Sequence, residues 1–251
     1  MNYNLWILLA LNSIIVLLCI YFSIFVYPHQ ELSEETKRRP RSFVSNAFFR
    51  EFWYFLMEPL KKKLILWDIE PNSITNWGIV FSILAGVAFG AMEFGAGAWF
   101  VLLAATCDVY DGLLARAKKI ANKSGAFYDS VLDRVGEAAM FGGLMWAFRA
   151  DPVWYVVVLV AWAASQLVSY ARARAEGLGF DKGGSRGFFQ RAERMIVLTI
   201  AMALSPLGDV FFEQPHVIGK TGIAFICLGS IQTAWLRSVG IYREIRATEG
   251  N

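Results

Sequence analysis

The 251-residue chain is 56% hydrophobic and only 18% charged, with a mean hydropathy of +0.43. A soluble domain carries about 25% charged residues, so the composition points to a membrane protein. The net charge of +3 gives no basis for a nucleic-acid partner, and none is expected. Cys19, Cys107 and Cys227 lie far apart in apolar segments, which leaves no disulfide framework and no cysteine metal spacing.

In chain order, Leu5 to Tyr27 is uncharged and long enough to cross a hydrocarbon core of about 30 Å. No side-chain cation precedes it and no small-residue cleavage site follows, so it reads as a span and not as a signal peptide. With this span at 5–27, further ones are predicted at 73–91, 96–117, 125–148, 152–173, 190–208 and 219–241. Residues 42–63 place Phe48, Phe49, Phe52, Trp53, Leu56 and Met57 at helical spacing, with Arg50, Glu51, Glu58 and Lys61, Lys62 and Lys63 among or after them. That pattern suits an amphipathic helix lying in the headgroup plane; a linker helix packed on the protein is the alternative.

Cations sort the loops. If the segment after the first span is cytoplasmic, every lysine and arginine except Arg149 and Lys220 falls on the cytoplasmic side. Short cationic loops are retained inside. The expectation is a multi-pass protein of the cell (inner) membrane, N-terminus outside and C-terminus inside.

The third and fourth spans carry four carboxylates. Asp108 and Asp111 are three apart, Asp129 and Asp133 four apart, so each pair shares a helix face. The basic link from Ala117 to Ser124 contains Asn122 and Ser124 as helix breakers and N-caps, and it returns the chain as an antiparallel helix. Both faces can then meet near the cytoplasmic surface. Each carboxylate costs about 2.5–3.5 kcal/mol at mid-membrane, and four together repel. Arg116 and Arg134 offer some counter-charge, but converging carboxylates call for hard divalent cations with oxygen ligands, and two such ions can clamp a phosphoryl transfer. His29 and His216, the only histidines, are expected in solvated loops, and no Ser-His or Cys-His pair is at hand for a covalent route.

The run Asp108-x-x-Asp111-Gly112-x-x-Ala115-Arg116, eight residues, Gly125, three, Asp129, three, Asp133 resembles the signature of the CDP-alcohol phosphotransferases at every fixed position. The resemblance covers about 70–241. It implies an all-α integral membrane protein: a six-helix transmembrane core (70–251), an extra N-terminal transmembrane helix (1–30), and a cytoplasmic linker with an interfacial amphipathic helix (31–69). It further implies a homodimer, an active site facing the cytoplasm, and two Mg²⁺ ions, or Mn²⁺ in their place, on Asp108, Asp111, Asp129 and Asp133. Asp133 is also the implied general base. Asn72, Thr75, Asp108, Asp111, Gly112, Ala115, Arg116, Gly125 and Asp129 would contact the cytidine diphosphate part of CDP-diacylglycerol. The Pro71-Asn72-Ser73-Ile74-Thr75 stretch is weak taken alone, since Asn72 could equally cap the second span. In the implied reaction the acceptor oxygen attacks the phosphorus bearing diacylglycerol, and CMP leaves with help from Arg116.

Several arginines frame the same mouth: Arg172 in Arg172-Ala-Arg174-Ala-Glu176, Arg194 in Arg191-Ala-Glu193-Arg194, and Arg237 in the last span. Guanidinium forks match phosphate oxygens, so a phosphorylated alcohol suits them better than a cationic one. The pattern is similar to that of phosphatidylinositol-phosphate synthases, in which the positions of Arg172, Arg194 and Arg237 hold the phosphate of inositol 3-phosphate. Arg172 departs from the lysine common there. Glycerol 3-phosphate as acceptor, an archaetidyl lipid in place of a diacyl one, and, from another class, a divalent-cation transporter remain as alternatives.

Overall fold

The structure is a computed structural model that describes residues 3–33, 36, 37, 47–180 and 189–249. Arg38, Arg39 and Arg41, the start of the amphipathic stretch at 42–46, and Lys182 and Arg186 in the glycine-rich loop lie outside the described residues. Among the described residues the secondary structure is helical throughout, as expected for an all-α integral membrane protein: α1 (Tyr3–Tyr21), α2 (Ala47–Leu66), α3 (Pro71–Gly90), α4 (Phe94–Ala117), α5 (Lys123–Ala147), α6 (Pro152–Gly177), α7 (Arg191–Phe211) and α8 (Val217–Glu249).

Among the described residues, six segments are long and apolar enough to cross a membrane: Leu9–His29 and helices α3, α4, α6, α7 and α8. The first continues α1 through a π-helical turn, Phe22–Val26, and a 3₁₀ turn, Tyr27–His29. Helix α5 is as long as its neighbours, but Asp129, Asp133, Arg134 and Glu137 interrupt its N-terminal half. Its other half, from Ala138 to Ala147, is apolar. The last helix runs eight residues past the expected 241, to Glu249.

Helix α3 packs along α4 and α5, α7 along α4 and α8, and α6 along α8 and α5. The α3–α5 crossing is close because it is glycine on glycine. A Cβ on Gly86 would fall on the Ala139 carbonyl, and one on Gly143 on the Gly86 carbonyl. Small residues allow such approach between helices in lipid, where van der Waals packing and not hydrophobic burial drives association. One end of the bundle is filled by Phe89, Phe94, Phe141, Leu144 and Phe148, continuous with Leu198 and Ile223. His216 is not merely solvated there: its Nδ1 lies 2.9 Å from Asp209 and its ring meets Phe94 edge-on at 4.8 Å.

Helix α1 is largely exposed from Leu9 onward, and its junction with α2 is aromatic. Phe22 is fully buried among Phe48, Phe52 and Phe55. Glu51, buried on α2, accepts from the Ser33 amide at 2.9 Å and its hydroxyl at 2.6 Å. Helix α2 buries Met57 and Leu64 against α4, where the Tyr110 hydroxyl donates to the Met57 carbonyl at 2.8 Å. One face is thus packed on protein, while Phe49, Leu60, Ile65 and Leu66 stay exposed on the other. The segment ending at Asp68 is tied to α4 by Lys118, which donates to both Asp68 and the Ile69 carbonyl. That contact holds the Asp68 carboxyl below its ordinary range.

Candidate active site

Two local devices aim the carboxylates. Helix α5 begins where Asn122 accepts from the Gly125 amide and the Ser124 hydroxyl, each at 2.8 Å. This N-cap satisfies backbone donors that a helix start leaves orphaned and sets the rotation of α5, hence of Asp129 and Asp133. Helix α3 begins at Pro71 with Glu70 in the cap position, so Asn72 is not its cap. One turn on, Thr75 donates its hydroxyl to Asp111 Oδ2 at 2.7 Å, and the Gly112 amide approaches Asp111 Oδ1.

All four predicted carboxylates meet. Asp108, Asp111, Asp129 and Asp133 line one small cavity with Thr75 and Arg191. Oxygens of Asp108, Asp129 and Asp133 lie within 4.8 Å of one another. Carboxylates this close repel strongly unless a cation stands among them. Arg191 stands there: its Nη1 lies 3.1 Å from Asp108 Oδ2 and its Nη2 2.7 Å from Asp133 Oδ1. Arg134 also acts on Asp129 and Asp133. Two guanidinium groups against four carboxylates leave an all-oxygen, negatively charged donor set, which fits hard divalent ions.

Of the residues expected around the nucleotide, Thr75 lines the cavity, and Asn72, Gly112, Ala115, Arg116 and Gly125 lie on the same three helices, α3, α4 and α5. A Cβ on Gly112 would come within 3.0 Å of the Arg116 guanidinium, so glycine leaves that group its room. A Cβ on Gly125 would lie 3.3 Å from Asn122 Oδ1 and 3.9 Å from Asn72 Oδ1, which brings the starts of α3 and α5 together at this point. Ala115 is half-buried on α4 beside exposed Arg116.

The three acceptor-side arginines differ in setting. Arg172 is exposed and donates to Glu176 at 2.8 Å, one turn along α6. Arg194 is fully buried; its Nη2 donates to Glu137 Oε1 at 2.8 Å, and its Nε and Nη1 find no hydrogen-bond partner among the described residues. Arg237, also buried, donates from Nη1 to the Val168 carbonyl at 2.7 Å. Arg172 and Arg194 both lie near enough to act on its charge.

For three residues of the site the sequence alone predicts no role. Glu137 extends the Asp129, Asp133 stripe by one more turn, a spacing that points to it. Arg191 is the first residue of α7 and opens the Arg191-Ala-Glu193-Arg194 run, where the sequence directs attention to Arg194 instead; its signal is the capping box of Gln190 and Glu193, which fixes where α7 begins. Gln166, whose amide lies 3.4 Å from Glu137 Oε2, has no signal in the sequence.

The sequence profile of the CDP-alcohol phosphatidyltransferases matches residues 69–219. The chain belongs to this family. Among its curated relatives it is 31% identical over 208 residues to the phosphatidylinositol phosphate synthase of Streptomyces avermitilis, spanning 79% of this chain and 83% of that one. It is 32% identical over 191 residues to that of Corynebacterium glutamicum, spanning 73% and 83%. Among solved structures it resembles the Mycobacterium tuberculosis phosphatidylinositol phosphate synthase with CDP-DAG bound, at 26% identity and a TM-score of 0.65 over 73% of this chain and 92% of that one. The same enzyme in complex with manganese and citrate gives a TM-score of 0.65 at 26% identity, over 73% and 88%. The protein is therefore a multi-pass membrane enzyme with CDP-alcohol phosphatidyltransferase activity, a transferase of phospholipid biosynthesis.

Proposed function

We propose that the enzyme transfers the phosphatidyl group of CDP-diacylglycerol to a hydroxyl of a phosphorylated polyol, inositol 3-phosphate, and releases CMP. The observation that carries this reading is the buried Arg194, held by Glu137 through Nη2, whose Nε and Nη1 have no hydrogen-bond partner among the described residues. A buried guanidinium with unpaired donors is costly, and an acceptor phosphate would pair them. The names of the relatives, and CDP-DAG bound to one of them, agree with the reading.

Asp108, Asp111, Asp129 and Asp133 would hold two divalent ions, Mg²⁺ or Mn²⁺; bound there, such ions supply charge neutralisation at the reacting phosphate. Thr75 keeps Asp111 turned into the cavity. Asn72, Thr75, Gly112, Ala115, Arg116 and Gly125 would receive the cytidine diphosphate part, with Arg116 beside the charge that grows on departing CMP. Asp133 takes the proton from the acceptor hydroxyl at a carboxylate oxygen. That hydroxyl oxygen forms the new bond to phosphorus as the bond to the CMP oxygen breaks. Arg172, Arg194 and Arg237 would grip the acceptor phosphate, Arg172 by exchanging Glu176 for it.

The accompanying organisation is an N-terminal span (1–30), a cytoplasmic linker and interfacial helix (31–69), and a core (70–251) that forms a homodimer in the cell membrane, with the site facing the cytoplasm. The test is to supply CDP-diacylglycerol and Mg²⁺ with inositol 3-phosphate, glycerol 3-phosphate, free inositol or choline, and identify the lipid by mass spectrometry. Phosphatidylinositol phosphate is expected. Preference for glycerol 3-phosphate, or efficient use of free inositol, overturns the acceptor assignment.

A further inference from the structure

The carboxylate cluster and the buried Arg194 are joined by one residue. Glu137 is 1% exposed and lies on α5 one turn beyond Asp133. Its Oε1 accepts from Arg194 Nη2 at 2.8 Å and lies 3.7 Å from Arg191 Nε, while its Oε2 faces the Gln166 amide at 3.4 Å. Three helices, α5, α6 and α7, thus meet on one carboxylate. A carboxylate removed from water persists only where charge and hydrogen bonds compensate it, and here the compensation comes from two cations on the first turn of α7. Arg191 reaches from there to Asp108 and Asp133, whereas Arg194 reaches Glu137.

We propose that Glu137 is a positioning residue for the acceptor end of the site: it holds the Arg194 guanidinium so that Nε and Nη1 face the incoming acceptor. This rests on the reading of Arg194 as an acceptor ligand. Glu137 touches neither substrate and contributes no proton. Its effect is to fix a long, rotamer-rich side chain before the acceptor arrives, so that the ordering entropy is not charged against binding.

Steady-state kinetics on the full chain in detergent, with whichever alcohol the wild type converts best, tests it. Glu137→Gln keeps the size of the side chain and removes its charge. It should raise the KM for the acceptor about tenfold or more, with the KM for CDP-diacylglycerol within about twofold of wild type, by the worth of one charge-assisted hydrogen bond. Arg194→Ala should do the same, and the double variant should be no worse than Arg194→Ala alone, because Glu137 acts through Arg194. Additive losses, or equal losses on both substrates, overturn the proposal and leave Glu137 a packing ion pair. If Glu137→Gln does not accumulate as protein that CMP stabilises, Glu137→Asp is measured the same way. The shorter side chain keeps the charge but draws it away from Arg194, and the same selective rise in acceptor KM is expected; a wild-type acceptor KM overturns the proposal. Failure of the acceptor reading shows separately, as a wild type indifferent to the acceptor's phosphate.

Discussion

Arg191 places its Nη2 2.7 Å from Asp133 and spans to Asp108 through Nη1 at 3.1 Å, so a guanidinium stands where a divalent cation would be expected among these carboxylates. Metal binding and this ion pair therefore compete. Activity should vanish with EDTA and return with Mg²⁺ or Mn²⁺. Without substrates, Arg191→Gln should bind Mn²⁺ about tenfold more tightly by calorimetry, since a charge-assisted contact worth about 1.5–3 kcal/mol no longer has to be displaced. Weaker binding by this variant would show that Arg191 supports the metal site instead.

The Thr75 hydroxyl ties the start of α3 to Asp111 on α4. Thr75→Val keeps the shape and leaves a buried carboxylate short of a hydrogen bond, a loss of about 1–3 kcal/mol. Turnover at saturating acceptor should fall about tenfold or more, and Thr75→Ser should restore most of it. A fully active valine variant would mean that Asp111 orients itself.

Asp133 sits where the two carboxylate pairs and Arg191 converge. General bases contribute roughly 10²–10⁴-fold. Asp133→Asn should therefore lose nearly all turnover while still binding CDP-diacylglycerol in a thermal-shift or radioligand assay. Retention of more than about a tenth of wild-type activity assigns the base elsewhere.

The α3–α5 crossing has no room at Gly86, where a Cβ meets the Ala139 carbonyl. Gly86→Ala must part the two helices, and overpacking of this kind costs about 1–3 kcal/mol. The melting temperature in detergent should drop by several degrees with both KM values close to wild type. An unchanged melting temperature would mean that the helices separate there without penalty.

Topology has its own test. A reporter fused after Asn251 should be cytoplasmic and one fused before Met1 external, because the spans predicted from the sequence put all cations but Arg149 and Lys220 on one side. The reverse would turn the carboxylate cavity away from the cytoplasm.

Much of the fold is legible in the chain because lipid enforces a simple code. Apolar stretches of membrane length become helices, since backbone groups have no other partner there, and the predicted spans match the helices to within a few residues except at the ends of α6 and α8. The four aspartates are legible for a related reason: helical spacing of three and four puts each pair on one face, and Asn122 announces the start of α5. Other features depend on tertiary packing. No local rule distinguishes Arg191, which enters the carboxylate cavity, from Arg172, which pairs with Glu176 in solvent. What separates them is the rotation of α7 against α4, fixed by packing and by the Gln190–Glu193 cap. Glu137 is likewise one more acidic residue on a helix until α6 and α7 close over it. Sequence sets which residues share a face, because helical period is a local property. Which faces meet, and so which charges are buried together, is decided by helix packing between segments far apart in the chain.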